Sequence, residues 1–224
     1  MTRVTINMQK GCSFRVARCI LWYMADTVPE GRQFTDGRVA RRERTRQRVV
    51  DAHTELLREG VLRPTAAHIA ERAGVSVRTL WTVFGDMEAL FGATTDFWFA
   101  SDDALSRRTD LEADLPHRIA GFCDERVRRL ENISPAARAA VLLEPVSPAL
   151  RASRRRHAQR VVEHVEEVFA PELRAAGAER EELRWSLVAA ASWNVWSLLR
   201  DDFGHSLEEA SVVMRRTLTA LLDP

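Results

Sequence analysis

The side chains best suited to specific chemistry lie together in residues 76–82, SVRTLWT. A guanidinium, an indole N–H and threonine hydroxyls can each hydrogen-bond, and a guanidinium can bind two acceptors through parallel bonds. No nucleophile stands beside a base here, so the chemistry this segment indicates is non-covalent recognition. What this segment can bind depends on the element that presents Arg78, Thr79, Trp81 and Thr82 and on the partner that this element faces.

The segment follows a turn between two short helices. Residues 64–73 form the first of them, because a Pro-Thr pair begins it and Gly74 ends it. Ser76 stands at the N-cap of the second helix, and Leu80 and Phe84, four residues apart, mark its buried side. Two short helices joined by a glycine-containing turn are typical of a helix-turn-helix.

Packing of the second helix across the first would leave its N-terminal half facing outward, where a recognition helix reaches base edges in the major groove. Arg78 can donate two hydrogen bonds to a guanine, Val77 can pack on a thymine methyl, and Thr82 can contact a base or a phosphate. Groups suited to phosphates are Thr79, Trp81 and the amide next to Thr65. The alternative is an ordinary pair of packed helices with Trp81 inside and Arg78 solvated.

Three runs between Thr45 and Leu90 resemble the TetR family of bacterial transcription regulators. They are RxxVVDA in the first helix, HIAERAGVS in the second, and RTLWTVFGDMEAL in the third and fourth. The resemblance implies an all-α fold, in which a three-helix helix-turn-helix DNA-binding domain precedes a helical ligand-binding and dimerisation domain. The positions that it places at or near DNA are Thr65, Val77, Arg78, Thr79, Trp81, Thr82 and Val83.

Two positions depart from the family's pattern, and both concern DNA affinity. The family often has a phosphate-binding lysine where this chain has Met87, and an aromatic residue where it has Val83. Arginines at the start of the first helix offer compensating phosphate contacts, and we include Arg46 among the predicted DNA-binding residues. The missing lysine supports an alternative function, a helical ligand-binding or protein-interaction module that has lost specific DNA binding.

The composition of the 224 residues predicts an all-α protein of about nine helices, because Ala, Arg, Glu and Leu are frequent and Gly and Pro are few. We predict a disordered or poorly packed tail over 1–37, the DNA-binding domain over 38–91, and the ligand-binding and dimerisation domain over 92–224. Basic residues exceed acidic ones by three in the second segment, and acidic residues exceed basic ones by four in the third. The first predicted helix runs from Arg38 to Gly60, and the two short helices and a helix from Met87 toward Leu105 follow it. The remaining predicted helices span roughly 113–131, 135–144, 148–176, 180–202 and 206–222.

Several classes of protein are disfavoured by the sequence. No run approaches the roughly 18 apolar residues of a membrane-spanning helix, and the three cysteines lack the spacing of a disulfide framework or a zinc site. No motif of a nucleotide-binding loop, a serine hydrolase or a metalloprotease is present. We therefore expect a cytoplasmic protein that is not an enzyme and needs neither metal nor cofactor. Met24 is an alternative start of the chain, with residues 1–23 as a mis-assigned extension.

The resemblance also implies that the C-terminal helices form a ligand pocket and that the last two pair with a second subunit. Residues predicted to bind the ligand are Trp98, Phe122, His164, Trp193 and Asn194, although aromatic residues of this kind can equally belong to a core or an interface. Apolar stripes at helical spacing predict dimer contacts at Leu183, Leu187, Leu198, Leu207, Met214 and Leu218. The implied function is that of a regulator, most simply a repressor, which a small-molecule effector releases from a palindromic operator in double-stranded DNA. A homodimer would match that palindrome.

Overall fold

The computed structural model describes the backbone of residues 31–107 and 109–223, and the side chains from residue 37 onward. Over these residues the secondary structure is entirely helical, as predicted, with ten α-helices and no strand. A 3₁₀ turn at Gly177–Glu179 and a π-helical turn at Leu198–Asp202 supplement them. The α-helices are α1 (Gly31–Arg58), α2 (Ala66–Arg72), α3 (Val77–Phe84), α4 (Met87–Ala104), α5 (Leu115–Leu143), α6 (Pro148–Val168), α7 (Ala170–Ala175), α8 (Arg180–Ala190), α9 (Trp193–Ser197) and α10 (Leu207–Leu222). None of the described helices has the length and apolarity that crossing a membrane requires.

The chain divides into two compact units, residues 1–44 and 45–224. The described part of the first unit is helical, and its side chains are exposed from Gly37 to Arg44. The described helix α1 extends back to Gly31, within the tail predicted over 1–37, because extending an existing helix requires no new nucleus even through residues of weak propensity. The rest of the predicted tail, including Met24, lies outside the described residues. The division between 91 and 92 stays a prediction.

In the second unit, one hydrophobic cluster joins α1 to α4, and we call it the N-terminal cluster. The periodicity of the sequence predicted its main contributions, since the faces expected to be buried in α1, α2 and α3 are the buried ones. Its central side chains include Val49, Ile69, Leu80 and Leu90, each without exposed surface. This packing fixes the angle at which α3 stands on α2.

A second hydrophobic cluster joins helices α5 to α10, and we call it the C-terminal cluster. Phe122, Leu130, Leu187 and Trp196 are fully buried in it. The Trp196 indole also donates a hydrogen bond of 2.8 Å from Nε1 to Glu131 on α5, so its polar edge is satisfied.

Helix α5 continues through Pro135, where the sequence predicted a break. A proline removes one backbone donor from a helix, but burial of Leu130 and Ala139 on either side keeps the helix packed through it. Ser134 additionally donates from Oγ to the Leu130 carbonyl at 2.8 Å. Tertiary packing therefore outweighs the local effect of the proline.

Two breaks that the sequence analysis did not predict interrupt the C-terminal helices. Helix α6 ends at Val168 because Phe169 leaves helical geometry and Pro171 is accommodated in the first turn of α7. The predicted helix 180–202 stops after Ala190, and the extended Ser192 caps α9 by accepting from the Val195 amide at 3.4 Å. Pro171 and Ser192 are the residues from which these two breaks could have been predicted.

Candidate nucleic-acid interface and internal cavity

Side-chain caps define the starts of both helices in the turn region. The hydroxyl of Thr65 accepts from the His68 amide at 3.3 Å at the start of α2. The hydroxyl of Ser76 accepts from the Thr79 amide at 3.0 Å at the start of α3. Because each cap satisfies an amide that has no partner within its helix, the first turn of α3 is held in a defined position.

The turn itself is held by Arg48 from α1. Its Nη2 donates to the carbonyl oxygen of Ala73 and to that of Gly74 at 3.1 Å. Gly74 has a φ of +62°, and a Cβ at this position would lie 2.9 Å from Arg48 Nη2. Glycine therefore satisfies both the backbone conformation and the close approach of the guanidinium. Arg48 is one of several arginines in α1, so its position in the sequence does not predict this role.

Helix α3 presents three side chains to solvent, those of Val77 and Arg78 in its first turn and that of Thr82 one turn after Arg78. Within the described part of the chain, no hydrogen bond or ion pair engages the Arg78 guanidinium. Thr82 donates from Oγ1 to the carbonyl of Arg78 at 2.8 Å, which leaves the lone pairs of its oxygen available as acceptors. The exposed surface of α3 therefore combines the guanidinium of Arg78, the apolar side chain of Val77 and the hydroxyl of Thr82.

The other predicted residues of α3 are less exposed. Thr79 is half-buried, with its hydroxyl 2.8 Å from that of Ser76. Trp81 is half-buried too and packs against the N-terminal cluster while keeping part of its surface outside. Val83 is only 9% exposed and belongs to that cluster, and its position at or near DNA stays a prediction. Successive residues of a helix point about 100° apart, so Val83 is buried while Thr82 beside it is exposed.

Arg46 has a partner within the protein. Its guanidinium lies 4.7 Å from the centre of the Phe84 ring, which places it on the N-terminal cluster as a cation–π contact. Its side chain is half-buried. A phosphate contact by Arg46 stays a prediction.

A cavity of about 620 Å³ lies among α1, α4, α5, α6 and the α8–α9 junction. Its wall is mostly apolar. Among the predicted ligand-binding residues, Trp98, Trp193 and Asn194 line it. Helix α4 contributes a continuous strip of its lining from Met87 to Asp102.

Phe122 and His164 do not line the cavity, and a ligand contact by either residue stays a prediction. Their rings pack together with centroids 4.5 Å apart, and both are buried, Phe122 within the C-terminal cluster. Burial, with a smaller contribution from Arg126 and Arg129, lowers the pKa of His164 to about 3. His164 is therefore a neutral buried group at physiological pH. Its position on a helix could not reveal this, because the burying residues come from other helices.

Helices α1, α4 and α6 contribute polar side chains to the cavity wall. His53 Nδ1 lies 2.9 Å from Thr94 Oγ1, and burial lowers the pKa of His53 to about 4. Burial also lowers the pKa of His157 to about 3, with nearby arginines contributing. Asp102 approaches two guanidinium groups through Oδ2, at 3.2 Å from Arg129 and 3.5 Å from Arg160. Burial raises the pKa of Asp102, and the arginines oppose that increase.

The predicted dimer residues differ in exposure. Leu187, Met214 and Leu218 are at most 2% exposed within a single chain and pack in the C-terminal cluster, and a dimer contact by them stays a prediction. Leu198 and Leu207 are 42% and 45% exposed. The half-buried Leu183 packs on the cluster. Helical periodicity alone does not distinguish a stripe that faces the chain's own core from one that faces a partner.

The fold has counterparts among solved structures. No protein-family model and no curated protein matches the sequence. A transcriptional regulator from Rhodococcus sp. Rha1 aligns over 81% of this chain and 95% of its own, at 16% identity and a TM-score of 0.60. A protein from Mesorhizobium loti assigned to the TetR family of transcriptional regulators aligns over 81% and 96%, at 17% identity and a TM-score of 0.59.

The chain has the fold of these two regulators. The all-helical architecture implied by the runs between Thr45 and Leu90 is thereby confirmed. Within this fold, the exposed side of α3 and the cavity beside α4 are two separate candidate sites. Only two residues, Gly85 and Asp86, separate these helices in sequence.

Proposed function

We propose that the protein is a TetR-type transcriptional regulator that binds an operator in double-stranded DNA through α2 and α3. The observation that carries this proposal is the exposed group Val77, Arg78 and Thr82 on a helix whose start is capped by Ser76 and whose preceding turn is held by Arg48. An unengaged guanidinium at the N-terminal half of such a helix suits the two acceptors of a guanine in the major groove. Thr79, Trp81 and the start of α2 at Thr65 suit the flanking phosphates.

We propose further that the active form is a homodimer. Large apolar side chains remain exposed on the last helices, including Trp185 at 53%, Leu207 at 45% and Val212 at 60%. Contiguous exposed apolar surface is typical of an interface. A two-fold dimer would present two copies of α3 about one DNA turn apart and would therefore require a palindromic operator.

The cavity supports regulation by a small molecule. Helix α4 lines it from Met87 to Asp102, and only two residues separate its start from the end of α3. Leu90 on the same helix is fully buried in the N-terminal cluster, so a shift of α4 would be transmitted to the packing of α3. A ligand that binds one position of α4 more tightly would change the population of DNA-competent dimers, and release from the operator corresponds to repressor function.

DNA recognition is tested by fluorescence anisotropy on the full chain, with duplex from the region upstream of its own reading frame and a scrambled duplex at fixed salt. Arg78→Ala should weaken binding to the specific duplex by about 1 to 3 kcal/mol, because it removes a bidentate base contact. Arg155→Ala supplies the matched control. This arginine is also exposed but lies on α6, so its loss should leave specific binding unchanged.

If the upstream region contains no operator, selection from random duplexes provides the specific one. Failure to select any preferred sequence would contradict the proposal and favour the alternative module that has lost DNA recognition. Equal weakening by both arginine substitutions would indicate a general charge effect and not base readout by α3.

A further inference from the structure

We propose that the cavity binds a neutral, largely apolar molecule through a hydroxyl group that accepts a hydrogen bond from Trp98 Nε1 and donates one to Asp102 Oδ1. The inference rests on the proposed ligand-responsive function and deepens it by naming the chemical class of the effector. Both side chains line the cavity.

The two polar groups lie on one face of one helix. Trp98 and Asp102 are four residues apart on α4, which makes them neighbours on its cavity side. They are only 5% and 2% exposed, so bulk water is not their partner. The indole is held in place by the Arg58 guanidinium, 4.9 Å from the ring centre, and by an edge contact with Phe97.

Each of these side chains has one buried polar atom that the protein does not satisfy. Among the described residues, Trp98 Nε1 has no acceptor and Asp102 Oδ1 has no donor. The other carboxylate oxygen, Oδ2, is the one that approaches Arg129 and Arg160. A buried polar atom without a partner is unfavourable by about 1 to 3 kcal/mol, and a ligand in the cavity can remove that cost.

A hydroxyl is the simplest group that matches this pair. It has one donor hydrogen and two acceptor lone pairs, whereas an ether or a ketone only accepts and an ammonium only donates. His157 lines the same cavity, and its buried Nε2 also lacks a partner among the described residues. Because its imidazole is neutral, it can hydrogen-bond to the same hydroxyl without adding charge.

The surrounding charges favour a neutral ligand. An anion would face the Asp102 carboxylate, and the guanidinium groups of Arg126 and Arg129 do not line the cavity. Of the two arginines that do line it, Arg154 is paired with Glu144 at 3.1 Å and Arg63 is exposed to solvent. A cation would approach a carboxylate that already lies near three arginines, Arg126, Arg129 and Arg160. Either charge would also lose its hydration in an apolar enclosure.

The rest of the lining fits an apolar body. Leu57, Phe91, Ile133, Val161 and Trp193 belong to it. The volume of about 620 Å³ lies within the range of roughly 300–1,000 Å³ that is usual for small-molecule sites. A flexible chain of ten carbons is much smaller than this volume, so the chain can adapt its shape to the cavity.

The experiment is calorimetric titration of the full chain, without DNA, with decanol, decyl methyl ether, decane and decanoate. Decanol should bind about tenfold more tightly than the ether, because only decanol can donate to the Asp102 carboxylate. It should also bind more tightly than decane and decanoate. Equal affinities for decanol and the ether, tighter binding of decanoate, or no binding of decanol would each overturn the proposal.

Two substitutions assign the contacts. Asp102→Asn should abolish or reverse the preference for decanol over the ether, since an amide whose oxygen faces the arginines turns its N–H donors toward the cavity. Trp98→Phe should weaken decanol and the ether equally relative to decane, because both accept from Nε1. Trp193→Phe makes the same change elsewhere in the cavity wall and should leave every ratio unaltered. An unchanged preference in Asp102→Asn, together with equal effects of the two tryptophan substitutions, would overturn the proposal.

The DNA-free design separates this inference from the proposed function. Specific operator binding without the expected alcohol preference would refute the ligand chemistry alone. The expected preference without any specific DNA sequence would support the cavity chemistry and contradict the regulator.

Discussion

At the scale of single residues, a few polar side chains hold the helices around both candidate sites. Arg48 joins α1 to the turn before α3, and His53 joins α1 to Thr94 on α4. The two contacts come from the same helix, five residues and less than two turns apart. Helix α1 therefore supports the turn before α3 through Arg48 and the cavity wall through His53.

His53 makes the stability of the protein dependent on pH. Burial lowers its pKa to about 4 in the folded chain, from an ordinary value of 6.5. Between these values the unfolded state binds the additional proton, so the free energy of unfolding falls as the pH falls. His53→Gln should reduce that slope by up to about 1.4 kcal/mol per pH unit, measured by urea unfolding between neutral pH and pH of about 5.

His68→Gln is the control for this substitution, because its side chain is exposed on α2. The wild type and this variant should show the same slope. A slope that His53→Gln leaves unchanged would mean that the folded protein protonates His53 as readily as the unfolded chain does.

At the scale of elements, α3 is short and depends on its capping residue. It has eight residues, so its formation depends on tertiary contacts and on the Ser76 cap more than on its own propensity. The half-buried Trp81 and buried Leu80 hold its inner side.

Ser76→Ala should lower the free energy of unfolding by about 1 kcal/mol, because the Thr79 amide loses its acceptor. Urea unfolding measures the change. Ser186→Ala is the matched control within a helix interior, where the hydroxyl only bonds back to the Glu182 carbonyl at 2.9 Å and alanine is the better helix former. Equal losses in both variants would contradict the capping role.

At the scale of the whole molecule, the proposed dimer depends on which apolar residues the single chain leaves uncovered. Leu207→Glu should shift the protein from dimer to monomer in sedimentation velocity, because it places a charge within the proposed interface. The substitution should not destabilise α10, because an acidic residue is favourable at the N-terminus of a helix.

Leu111→Glu is closely matched, because Leu111 is 44% exposed against 45% for Leu207 but lies between α4 and α5. It should leave the sedimentation coefficient unchanged. Monomeric behaviour of the wild type, or an equal effect of both substitutions, would argue against an interface on α10.

The sequence by itself determined the helical class, the turn before α3 and the buried faces of the first three helices, because these depend on periodicity and on local capping. Arg78 and Thr82 were identified for the same reason, since a known helix face fixes which side chains point outward. Only the tertiary structure decided that Val83, Phe122 and His164 are buried, that α5 passes through Pro135, and that three of the predicted dimer leucine and methionine residues belong to the core. Those outcomes depend on neighbours distant in sequence, and a pattern within one helix records that a face is apolar without recording what covers it.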